Sequence, residues 1–249
     1  MENSISKSLK LMVILALFIV LWLITSVDTR KLGILWYVVV VILSGIFMVA
    51  KKNITRRDIV VAIVLGLISM PSNLFLGVVS IIVYLGGVSV LKESAHQIPL
   101  IKGNNQRDIL KTIFLAIFVG VILGVLNLYL GKVSGMLVNP SIKAKWFLDA
   151  IRAGAAEEII FRYFFFAICI FFTNDRELSR SENFLCYLIM IVPHIITHFD
   201  RSSFTLISMV LLSLLFGLPF AIMQRKHDLS SAIGAHAIVD LIRFCVFGL

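Results

Sequence analysis

The chain has 249 residues, 59% of them hydrophobic and 15% charged, with a formal charge of +9. That balance excludes a soluble enzyme or a nucleic-acid-binding fold: at about 20 residues per span, the chain crosses a bilayer roughly eight or nine times and leaves no stretch for an aqueous domain. The excess of Lys and Arg is then a topology signal, because positive loops stay on the cytoplasmic side.

The first apolar run, Leu11 to Val27, follows Lys7 and Lys10 as a signal peptide would, but Asp28, Thr29, Arg30 and Lys31 stand where a small-residue cleavage site belongs. An uncleaved first span is expected. Further runs lie near 32–50, 59–70, 74–91, 109–131, 147–173, 183–198, 203–223 and 229–249. Pro71, Ser72 and Asn73 interrupt the 59–91 region, which is read as a tight hairpin of two spans. Cys169, Cys186 and Cys245 sit in or beside apolar runs with no CxxC pair, so they are expected to be core residues and not disulfide or zinc ligands. Trp22, Trp36 and Trp146 are expected at membrane interfaces, and His96 and His227 in solvent. The fold class is an all-α polytopic transmembrane helical bundle: amino-terminal helices over 1–146 and a core over 147–249, in one integrated membrane domain. Lys51, Lys52, Arg56 and Arg57 crowd one loop, Lys92, Lys102, Arg107 and Lys111 another, and Arg225 and Lys226 a third. With nine spans these loops share the amino-terminal side, which predicts a cytoplasmic amino terminus, although Lys132, Lys143 and Lys145 stand against it.

A charge deep in hydrocarbon costs several kcal/mol, so the informative residues are the ionisable ones inside the later spans. In Ala153-Gly154-Ala155-Ala156-Glu157-Glu158-Ile159-Ile160-Phe161-Arg162, two adjacent carboxylates and an arginine fall near the middle of one span. On an α-helix, Glu158 and Arg162 share a face and can pair, while Glu157 lies about 100° round from Glu158. A structural ion pair accounts for Glu158 and Arg162 but not for Glu157. A second glutamate beside a like charge has the character a general base or acid requires. The small residues before the pair admit a neighbouring helix closely.

His194 and His198 are four apart in the next span, and His236 precedes Asp240 by one turn in the last. Counting the helical rise from the cytoplasmic ends puts His194 at roughly 16 Å and His236 at roughly 10 Å, with His198 about 6 Å beyond His194. Glu158, His194 and His236 are thus expected at one inner level, with His198 second in rank.

These residues resemble the CPBP family of intramembrane proteases, the CAAX-protease and bacteriocin-processing group that includes the type II CAAX prenyl endopeptidases. The family's motifs are EExxxR, FxxxH and HxxxN or HxxxD. Glu157, Glu158 and Arg162 match the first, and His236 with Asp240 matches the third. The second is imperfect, with Met190 in the phenylalanine position before His194 and His194 itself in that position before His198. Tyr163 stands where many members have glycine. The resemblance covers roughly 147–245 and implies peptide-bond hydrolysis in or near the membrane. It implies that Glu157 with His194 activates water, Glu158 and Arg162 hold the helix geometry, and His236 with Asp240 stabilises the oxyanion. Which glutamate is the base stays open. The expected chemistry needs no cofactor; zinc held by Glu157, His194 and His236 is the alternative, weakened by the lack of an HExxH motif.

Two rival functions are weighed. A proton-coupled transporter would show two related halves with matching broken helices, and the Pro71 break has no twin. A non-catalytic immunity or scaffold protein on the same fold is separated from an enzyme only by its site. Expected partners are the bilayer and a peptide or protein substrate, with no nucleic acid. The short chain resembles the bacterial members, which are associated with maturation of peptide pheromones or bacteriocins or with self-immunity, so a bacterial cell membrane is the expected location.

Overall fold

The computed structural model describes residues 6–103, 105–173 and 177–248, with helices and no strand among them. In chain order these are α1 (Lys7–Thr25), α2 (Thr29–Leu32), α3 (Ile34–Lys51), α4 (Arg56–Ser69), α5 (Leu74–Leu91), α6 (Gln106–Val133), α7 (Ala144–Glu157), α8 (Phe164–Thr173), α9 (Arg180–Ile196), α10 (Leu206–Leu212), α11 (Leu218–Lys226) and α12 (Leu229–Phe247). A π-helical turn, Glu158–Tyr163, joins α7 to α8, and another, Ser213–Gly217, joins α10 to α11. Helices occupy all nine expected stretches. Among the described residues, six helical segments are long and apolar enough to cross a membrane: Lys7–Thr25, Thr29–Lys51, Leu74–Leu91, Gln106–Val133, Leu206–Lys226 and Leu229–Phe247. The chain is an integral membrane protein of all-α class. The expectation of eight or nine spans exceeds those six because α4 has 14 residues, α9 has 17, and the α7–α8 stretch is interrupted by its charged π turn.

The chain forms two compact units, each assembled from separated segments.

The first unit comprises Met1–Ile59, Ile82–Gln97 and Ile160–Ala221. Its centre is α8, whose sequence is apolar on every face; such a helix has nowhere to go but a core. Phe164, Phe165 and Phe166 are all buried. Phe165 stacks on Phe18 of α1 at 4.3 Å between centroids, and Phe47 of α3 stacks on Phe171 at 4.2 Å. Stacked rings of this kind add about 0.5–1.5 kcal/mol each beyond their area. Trp22 and Trp36 are 8% and 4% exposed, and their indole N–H groups donate to the Phe199 carbonyl and the Thr25 hydroxyl, each at 3.1 Å. His96 is half-buried, edge-on to Phe166, instead of solvent-facing. Tyr163 stacks on Tyr84 at 5.4 Å and lies against Gly87, where an added Cβ would come within 2.6 Å of its ring. The bulk gained at Tyr163 is thus matched by a missing side chain on α5. Helix α9 starts at a capping box, Ser179 with Glu182, each side chain bonding the other's backbone N–H.

The second unit comprises Val60–Ile81, Ile98–Ile159 and Ile222–Leu249. Met70 to Asn73 turn the chain between α4 and α5, as the hairpin reading requires, and Gly66 and Gly77 let the two arms meet: a Cβ on Gly77 would lie 2.9 Å from the Gly66 carbonyl oxygen. Helix α12 packs on both α6 and α7. Gly120 and Gly124, four apart on α6, face Ala235, Ile238 and Ile242, while Gly154 of α7 would put a Cβ 2.6 Å from the Ile233 carbonyl oxygen. Small residues at such spacing are how membrane helices reach backbone contact. Both ends of α12 are anchored. At its start, buried Asp228 accepts from Ser231 N–H at 2.7 Å, the Thr112 hydroxyl at 2.6 Å and Lys102 N–H at 3.1 Å. His227 beside it is half-buried, contrary to the expectation of a solvent-facing residue, with Nδ1 at 3.3 Å from Asp228. At its end, Gly248 takes a left-handed φ of 69°, and Ser141 and Asn139 N–H groups donate to the carbonyls of Cys245 and Val246 at 2.8 and 3.0 Å. Trp146, 6% exposed, is also internal, and its N–H donates to Ser141 at 3.1 Å.

Candidate active site

Glu157 is the last residue of α7 and Glu158 the first of the π turn. The α-helical spacing assumed for this stretch is therefore replaced: a π turn closes i→i+5 bonds, so Glu158 and Arg162 no longer stand one α-helical turn apart. Single π turns of this kind recur at functional sites.

Within the second unit, His236 of α12 gathers three carboxylates. Its Nδ1 lies 2.8 Å from Glu158 Oε1, and its Nε2 lies 3.7 Å from Glu157 Oε2 and 3.6 Å from Asp240 Oδ2. The two glutamates differ in environment: the side chain of Glu158 is 0% exposed and that of Glu157 is 23% exposed. Glu158 is held from a second side as well. Gln224 of α11, itself fully buried, donates from Nε2 to the Glu158 carbonyl at 3.2 Å and to Oε2 at 3.4 Å. An ionised Glu158 accepts from Nδ1–H and so fixes the tautomer and ring plane of His236, leaving Nε2 to face the more open pair Glu157 and Asp240. Separations of 3.6 and 3.7 Å are too long for direct hydrogen bonds.

Arg162, His194 and His198 belong to the first unit. Arg162 is 1% exposed and places its guanidinium 5.3 Å from the Phe220 ring centroid. His194 is 3% exposed and stacks on Phe161 at 4.9 Å, the residue immediately before Arg162. Met190 is fully buried one turn earlier, so the aromatic ring against His194 comes from the first motif. Helix α9 ends at Ile196, so His198 lies in the turn beyond it, exposed, with its ring edge-on to His194 at 5.1 Å.

Gln224 escapes the motif reading. The available signal is a lone amide closing the apolar run Leu218–Met223, hidden by the charged Arg225 and Lys226 that follow. The Gly120–Gly124 pair is a GxxxG pattern and was equally legible.

Residues 139–242 match the family model for type II CAAX prenyl endopeptidase Rce1-like proteins, which agrees with the motif resemblance and covers about two fifths of the chain. No curated protein and no solved structure matches the chain. The match supports a CAAX-type intramembrane protease in general terms, acting on a peptide substrate at the bilayer.

Proposed function

We propose, on the premise that residues 139–242 are an Rce1-like segment, that the protein is an intramembrane endopeptidase whose water nucleophile is activated by glutamate and histidine without a metal. The observation that carries this reading is the asymmetry around His236: one ring nitrogen clamped by a buried glutamate, the other facing a partly exposed one. Glu157 is the base, because proton transfer to water needs a carboxylate that water can reach. Glu158 and Gln224 position the imidazole. As an imidazolium, His236 uses one N–H on Glu158 and offers the other to the oxygen of the tetrahedral intermediate, with Asp240 steadying that side. The proton taken by Glu157 leaves with the amine, and the peptide bond is replaced by a carboxylate and an amine with one water consumed. The substrate class is a membrane-associated peptide or protein, with peptide-pheromone or bacteriocin precursors favoured by the resemblance to bacterial members.

The test is cleavage of a panel of such precursors by the purified protein in detergent or vesicles, with Glu157→Ala, His194→Ala and His198→Ala alongside and a zinc chelator as a further arm. Cleavage that survives chelation and is abolished by Glu157→Ala and His194→Ala, with a smaller loss from His198→Ala, is the expected result. Chelator sensitivity would move the chemistry to zinc, and a cellular phenotype retained by Glu157→Ala would favour the scaffold reading.

A further inference from the structure

Helices α1, α3 and α8 of the first unit enclose an apolar groove of about 480 Å3. Phe18 and Ile168 form its buried floor, and Val20, Ile42 and Phe172 are exposed along its walls. Every lining side chain is hydrocarbon. Helices α1 and α3 lie in segments long and apolar enough to cross a membrane, so the groove opens towards acyl chains. A dry apolar groove is filled by hydrocarbon in preference to water. Its lining on α1 runs from Ile14 to Ile24. At the helical rise that is about 15 Å, half of a ~30 Å hydrocarbon core and hence the depth of one leaflet.

One end of the groove is cationic. Lys10, one turn before Ile14, places Nζ 3.5 Å from the carbonyl oxygen of Phe172, a lining residue. Lys51, at the end of α3, places Nζ 5.9 Å from the centroid of the adjacent Phe171. Two ammonium groups thus converge on the carboxyl end of α8, beside the mouth of a slot shaped for a single chain. Lysines at the end of a span reach to the interface, where phosphates lie.

We propose that this groove binds one acyl chain of an anionic membrane phospholipid, with the headgroup phosphate held by Lys10 and Lys51. The occupant is bound, not transformed, and the site is independent of the carboxylates around His236.

The experiment is native mass spectrometry of the detergent-solubilised full chain titrated with phosphatidylglycerol or phosphatidylcholine of equal chain length. Phosphatidylglycerol should be retained roughly thirtyfold more tightly than phosphatidylcholine, given the worth of two lysines near an anionic headgroup. Lys10→Ala with Lys51→Ala should remove that preference, Ile42→Trp should weaken binding of both lipids by filling the groove, and glycerol phosphate without chains should displace neither. Equal retention of the two lipids by the wild type, or a preference that survives the double lysine substitution, would overturn the headgroup assignment. Unchanged binding by Ile42→Trp would overturn the groove, and displacement by an uncharged single-chain alcohol as effective as the phospholipid would assign the slot to another molecule's lipid chain. Should the double variant fail to fold, raising the salt on the wild type reads the same contact: the preference must fall with ionic strength, and a preference indifferent to salt sinks the proposal.

Discussion

Glu157 and Glu158 are neighbours in sequence with opposite surroundings, and their substitutions should separate accordingly. Glu157→Ala removes the partly exposed carboxylate proposed as the base; cleavage should fall roughly 100- to 10,000-fold while thermal unfolding of the purified protein barely changes. Glu158→Ala strips His236 Nδ1 of its acceptor in a buried setting and leaves Gln224 Nε2 only the backbone carbonyl at 158, so activity and stability should fall together, the latter by about 1–3 kcal/mol. A stable, inactive Glu158→Ala with an active Glu157→Ala would reverse the assignment of base. Gln224→Leu keeps the volume near its original value and removes only the donor. It should lower kcat more than it raises KM, because it loosens the imidazole without touching substrate. At this scale the sequence was informative about residue type and order, since ionisable groups in an apolar run stand out by their cost. It was silent on Gln224, whose amide carries no charge to announce it.

Helix contacts sort by what the glycine faces. Gly154→Ala would drive a methyl against a backbone oxygen, 2.6 Å away at Ile233, whereas Gly124→Ala would meet the Cδ1 end of Ile242 at 2.6 Å, which can rotate aside. The first should cost about 1–3 kcal/mol by thermal unfolding and reduce cleavage as α12 is pushed off α7; the second should be nearly neutral. Charge at a helix start supplies a pH test. Asp58, in the first turn of α4, is raised by partial burial, but the Lys92 ammonium at 2.8 Å and the Thr55 N–H and hydroxyl outweigh that and hold its carboxyl below the ordinary value of 3.8. A carboxyl depressed on folding stabilises above its unfolded value, and that contribution is lost as pH falls through the folded one. The melting temperature of the wild type should therefore drop on acidification below pH 3.8, and Asp58→Asn should flatten that part of the profile. The hairpin at Pro71 and the capping box at Ser179 were legible because each is a local pattern. The π turn at Glu158 was not, because no residue type demands an extra residue in the hydrogen-bonded ring.

The distribution of Lys and Arg bears on the whole molecule. With helices in all nine apolar stretches, the loops carrying Lys51, Lys52, Arg56, Arg57 and those near Lys102 and Arg225 fall on one side if all nine cross, so we expect a cytoplasmic amino terminus. Reporter fusions after Lys52 and at the carboxyl end should report opposite sides. Identical readings from both would require an even number of crossings between them and would remove that orientation. Trp22, Trp36 and Trp146 each donate an indole N–H to an internal acceptor at 3.1 Å, pairings that hydropathy along the chain does not specify.

By itself the sequence determined the class and the residue types of the candidate site: a helical membrane protein with carboxylates and imidazoles in apolar runs where charge is expensive, because hydropathy and the cost of burial act on each residue wherever it sits. Tertiary structure decided the rest. That Glu158 is sealed while Glu157 is open, that Gln224 holds one of them, and that His198 lies beyond its helix all depend on which helix packs beside which and on one π turn. These are consequences of contacts between segments far apart in the chain, and no local spacing encodes them.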